Sequence, residues 1–197
     1  MSEINPYAAP AHFGTVDDAV EAKPFYVVST RKFLVLYLGT AGMYGLYWNY
    51  RHWAQFKRFT RGTQWPVARA IFSIFFVHAL LAEIEQQLRK QAVAWEWNRG
   101  SLANGLVTVL LVQGLSNRMA GREFGSPFTD WLAVAAIPLL AWLKWKVQRA
   151  TNAACADPDG DLNREFTTAN IAWLLLGAIF WCLLALGLMV AHGLFAA

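Results

Sequence analysis

Apolar residues in this chain come in runs rather than in alternation, and short charged or Pro/Gly-rich stretches separate the runs. No charged residue lies between Lys32 and Arg51, between Arg99 and Arg118, or from Asn170 to the carboxyl end. As helices, stretches of about 18 or more mostly apolar residues reach across the hydrocarbon core of a bilayer. The pattern therefore predicts an all-α integral membrane bundle of about five transmembrane helices, over 33–50, 67–88, 102–117, 131–147 and 170–194. Residues 1–31 read as a flexible amino-terminal arm, and 32–197 as a single transmembrane helical domain.

Each run has its own character. In the first, Gly39, Gly42 and Gly45 recur every three residues, and Ala41 with Gly45 makes a small-xxx-small pair that lets helix backbones approach. The same glycines weaken the helix, so a break with re-entry is the alternative to a crossing and would give four spans plus one re-entrant segment. Beyond it, Tyr50, Trp53 and Phe56 line one side of 51–62 while Arg51, His52, Gln55 and Arg58 point elsewhere, as in a basic helix at a membrane surface or the wet end of the first span. Trp65 and Pro66 open the second run, proline suiting a first helical turn and Arg69 able to snorkel. Trp95 and Trp97 are placed as interfacial anchors. The third run carries Asn104, Gln113 and Asn117. The fourth is short between Asp130 and Lys144, unless Trp142, Lys144, Trp145 and Lys146 extend it by snorkelling, and Pro138 predicts a kink. The fifth, capped by Thr167 or Thr168, is the strongest membrane signal.

Composition agrees. The 197 residues are 56% hydrophobic and only 15% charged, where a soluble domain carries about a quarter charged. The first thirty residues lack the basic start and apolar run of a cleavable leader, so the first apolar run is expected to act as a signal anchor. Two cysteines, Cys155 and Cys182, make no disulfide framework. The net charge of +4 points to a membrane surface rather than to nucleic acid, because the basic residues flank apolar runs. Arg51, Lys57, Arg58 and Arg61 are the expected contacts to anionic lipid headgroups. Basic residues show only a weak excess on the amino-terminal side, whether 33–50 crosses or re-enters, so the positive-inside rule leaves orientation open.

Candidate chemistry is sparse. Asp157, Asp159, Asp161 and Asn163 alternate, but Gly160 and Glu165 fall at the wrong places for an EF-hand loop, and a solvated turn accounts better for them. His78 and His192 sit at unequal depths in antiparallel helices, which argues against bis-histidine haem. No HExxH, GxSxG, P-loop or GxGxxG motif occurs. An intramembrane histidine is a candidate site in its own right. Depth counted from the shared end of the second and third runs brings His78 level with Gln113. The two are expected to pair across helices, with Asn117 on the same face as Gln113. No catalytic residue, metal or cofactor is expected.

The run Thr40-Ala41-Gly42-Met43-Tyr44-Gly45-Leu46-Tyr47-Trp48 resembles T-x-G-x-Y-x-x-Y-W, the opening of an uncharacterised group of small bacterial multi-pass membrane proteins, a domain of unknown function. Asn5-Pro6-Tyr7 with Pro10, Trp65-Pro66 with Arg69, and Phe166-Thr167 before Asn170 match as well, loosely covering most of the chain. The resemblance implies a bacterial inner-membrane protein and supplies no reaction or ligand. Three functions remain open: a non-enzymatic accessory, assembly or partner-binding protein that contacts other membrane proteins or itself, a small oligomeric transporter or channel, and a membrane enzyme acting on lipid.

Overall fold

The computed structural model describes residues 23–191 and is all-helical, with seven α-helices, a short 3-10 turn at Asp161–Asn163 and no strand among the described residues. Helix α1, Thr30–Gly39, starts where the Ser29 hydroxyl accepts the Lys32 amide at 3.3 Å, an N-cap that satisfies a donor the helix cannot. It ends where Ala41 and Gly42 take positive φ, 50° and 87°, the left-handed conformation that glycine adopts without strain. The Thr40 hydroxyl bridges the reversal, donating to the Leu36 carbonyl at 2.7 Å and accepting the Tyr44 amide at 3.0 Å. Helix α2, Tyr44–Thr60, then returns along α1, so the Phe33 ring meets Tyr44 and Trp48 at centroid distances of 6.2 and 5.8 Å.

This corrects the expectation of one crossing helix over 33–50. The glycine run breaks the helix and turns it into a helical hairpin. Gly45 serves closeness within that hairpin, since a Cβ there would stand 2.9 Å from the Tyr37 ring.

The next three runs are helical, but the second is broken in two and the fourth continues past its expected end at 147 to Ala154. Pro66 opens α3, Pro66–Ile71, and a kink at Phe72 separates it from α4, Ser73–Lys90. Helix α5 is Arg99–Ala120, capped by the Asn98 side chain on the Ser101 amide, and α6 is Phe128–Ala154 with Pro138 inside it. Helix α6 is the hub, with α5, α1 and α4 packed around it. Leu36, Leu81, Ile84, Leu140 and Val147 fill the space between them, each at most 1% exposed. Part of the expected arm is structured. Phe25 and Val28 are wholly buried, so 24–29 belongs to the core, while residues 1–22 lie outside the described residues.

Helix α7, Thr168–Ala191, stands apart, and Gly177 is its one buried residue among those described. It is held chiefly by α1. The backbones meet so closely that a Cβ on Gly177 would lie 2.1 Å from the Gly39 carbonyl oxygen, and Trp181 Nε1 donates to the Leu38 carbonyl at 2.8 Å. The last part of the fifth expected span, 192–194, lies outside the described residues. Among the described residues α7 alone is long and apolar enough by its own composition to cross a membrane.

Gly177→Leu should force α7 off α1 and lower the melting temperature in detergent, by about 1–3 kcal/mol of stability. Gly187→Leu, where a Cβ meets nothing within 4 Å, should leave it unchanged. Equal melting of the two variants would show that the Gly39–Gly177 contact does not hold α7.

Candidate functional site

The polar groups of the interior gather on one face of α6. Gln148 and Asn152 are four residues apart and so lie one above the other. Gln148 Nε2 donates to Asn152 Oδ1 at 2.7 Å and to the Tyr26 carbonyl at 3.1 Å, while Gln148 Oε1 accepts the Trp48 indole N–H at 2.5 Å. Asn152 Nδ2 donates to the Val28 carbonyl at 3.0 Å, and Asn152 Oδ1 takes a long bond, 3.5 Å, from the Val28 amide. From the other side Asn163 Nδ2 donates to the Val27 carbonyl and the Tyr26 hydroxyl, and Lys32 Nζ donates to Asn163 Oδ1 at 2.7 Å.

Side-chain amides thus do for the extended segment 24–29 what a neighbouring strand would do, giving its buried peptide groups partners that water no longer supplies. The loop with the alternating acids closes over it. Gly160, at φ 71°, lies so near that a Cβ would stand 2.6 Å from the backbone of Val28 and Ser29. The Asp157 carboxylate caps the amides of Asp161 and Leu162 at 3.0 and 3.1 Å. No three His, Cys, Asp or Glu side chains among the described residues are placed to share a metal ion.

His52 and Lys144 stand against this cluster. His52 is fully buried within an aromatic nest of Phe25, Tyr26 and Trp48, whose ring lies 4.3 Å away edge-on, and neither ring nitrogen has a hydrogen-bond partner. Lys144 is 5% exposed, its ammonium 4.6 Å over the Trp48 ring. The Cys155 thiol, bonded to the Phe25 carbonyl at 3.8 Å, is pushed up to about 11 by burial.

The sequence-predicted residues lie elsewhere. His78 does reach α5, but its partner is Asn104, with His78 Nε2 donating to Asn104 Oδ1 at 2.9 Å, and the pair is exposed. Gln113 is half-buried and Asn117 exposed, with no hydrogen bond to either side chain among the described residues. The register moved because the linker 91–98 doubles back, so Arg99 comes level with Glu85, 3.4 Å away, instead of with the end of α4. That slides α5 by about two helical turns. Among the basic residues, Arg51 is half-buried, donating to the Tyr47 hydroxyl at 3.1 Å and stacked over the Tyr26 ring at 5.0 Å. Lys57, Arg58 and Arg61 are exposed at the end of α2, where cations also suit the helix dipole.

A second site was missed. Trp142, Trp145, Lys146 and Arg149 follow i, i+3, i+4, i+7 spacing and so share one stripe of α6, a signal the sequence did carry. With Trp95, Trp97 and the first turn of α5 they enclose an open cleft of about 410 Å³. Lys146 Nζ sits 3.8 Å over the Trp142 ring, and the Arg149 guanidinium 5.0 Å over Trp145.

Comparison of the chain with protein families, curated proteins and solved structures finds no match.

Asn152→Leu keeps the volume but leaves the Val28 carbonyl and a Gln148 N–H without partners, at about 1–3 kcal/mol each. Amide exchange at residues 25–29 should accelerate and the melting temperature fall, with Asn117→Leu as the silent control.

Proposed function

We propose that this is a multi-pass α-helical membrane protein without enzymatic activity of its own, whose outer faces contact lipid and partner proteins. The observation that carries this reading is the inverted distribution of side chains. Phe75 is 77% exposed on α4, Leu115 60% on α5, Trp131 56% on α6, and most apolar side chains of α7 face outward. The interior meanwhile holds the hydrogen-bonded amides of Gln148 and Asn152. In water, so many exposed large apolar groups on successive helices would drive association, whereas in lipid they cost nothing.

In this arrangement α5, α6 and α7 cross the bilayer, and the α1–α2 hairpin enters and leaves on one side. Helix α5 crosses although its own composition is modest, because its polar residues are few and its flanks are basic. The match of 40–48 to the T-x-G-x-Y-x-x-Y-W pattern supports a bacterial inner membrane. The accessory reading is supported by the interior cluster, whose amides are taken up by one another and by the segment 24–29. The transport reading draws no support from His78, which lies outside with Asn104 rather than along an inner path.

Carbonate washing should leave the protein in the membrane pellet, and reporters placed before Lys23 and after Gly62 should read the same side. Release by carbonate would end the membrane reading. Reporters on opposite sides would make 33–62 a crossing after all.

A further inference from the structure

Nothing in the fold uses the tryptophan-walled cleft between α5 and α6. Its walls divide by chemistry. Leu102, Leu143 and the indole rings make an apolar side, and Lys146 with Arg149 make a cationic one. Neither cation is in an ion pair among the described residues, where the pairs are Glu85 with Arg89 and Arg99, and Asp161 with Arg164. Glu96 is the one acid in the lining, so two positive charges face one negative.

The amino end of α5 opens into the same space through Asn98 and Ser101. The Asn98 side chain takes the Ser101 amide, which leaves the amides of Arg99 and Gly100 at the positive end of a 22-residue helix. The cavity, the two free cations and the helix terminus converge on an anion. The indoles and leucines call for something apolar attached to it, because a small hydrated anion gains nothing from such walls. The position fits as well. Tryptophan concentrates at the boundary between hydrocarbon and water, and here Leu139 and Trp142 are exposed on one side of the cleft while Arg149 and the polar linker lie on the other.

We propose that this cleft binds a phospholipid headgroup, with the phosphodiester between Lys146, Arg149 and the amino end of α5 and the glycerol end against Leu102 and Leu143. The inference rests on the membrane reading above and goes beyond it by naming a ligand class and a site. About 410 Å³ admits a headgroup and glycerol but not two acyl chains, which leave through the open side past Trp142.

The test uses the full chain in non-ionic detergent and calorimetric titration with three probes: dihexanoyl phosphatidylglycerol, dihexanoylglycerol, and inorganic phosphate. Saturable one-to-one binding of the phospholipid is expected, with each of the other two at least tenfold weaker. Lys146→Gln with Arg149→Gln should weaken phospholipid binding about tenfold or more. Ser101→Trp, which keeps every charge but fills the cleft, should do the same. Arg118→Gln with Arg122→Gln, which remove as much charge from exposed positions at and just beyond the far end of α5, should leave binding intact. Melting curves certify the fold of each variant. Undiminished binding in both cleft variants would overturn the proposal, and so would phosphate binding as well as the lipid. A chain that stays in carbonate-washed membranes yet shows no saturable site would sink this inference and leave the membrane reading standing.

Discussion

The pair of side-chain amides on α6 is the constraint around which the rest of the molecule is arranged. Gln148 and Asn152 can each donate and accept at once, as a peptide group does, and between them they hold α2 through Trp48 and the segment 24–29 through Tyr26 and Val28. Buried amides in a low-dielectric interior are costly unless every group is matched. The matching here fixes the height of α2 against α6, and that in turn sets Lys144 over the Trp48 ring and closes the aromatic nest around His52. The hairpin α1–α2 is held at its open end by this network and at its closed end by Ala41, Gly42 and Thr40.

Helix positions were legible because the apolar runs and the caps agree. Pro66 does open a helix, and α7 lies where the longest uncharged run is. What failed was the reading of glycine and of linkers. Gly39, Gly42 and Gly45 have the spacing of a packing stripe, and the sequence does not say that Gly42 would take a positive φ and turn the chain. The burial of 24–29 was hidden because the partners of Val28 and Val27, Asn152 and Asn163, lie more than a hundred residues away and carry no local signature. The linker 91–98 looked like a plain connection, and its doubling back moved the partner of His78 from Gln113 to Asn104.

The two polar regions divide the labour differently. The Gln148 cluster is closed, saturated and lacks a reactive group, so its chemistry is spent on shape. The tryptophan cleft is open, and its cations are held over aromatic faces instead of by acids. Spacing alone distinguishes them in the sequence. Residues 144, 148 and 152 point inward on α6, whereas 142, 145, 146 and 149 form the neighbouring stripe.

The burial of 24–29 has a consequence for the order in which the chain can assemble. Its partners Gln148, Asn152 and Asn163 lie 122 to 137 positions later in the chain. During synthesis the segment leaves the ribosome long before they exist. Its peptide groups must then remain hydrated while α1 through α5 are already being placed. The slot is built last and filled by what was made first, so completion of this fold is a ring closure in time as well as in space. Contacts of such long sequence separation form slowly, and the interior remains unsealed until the beginning of the chain comes home.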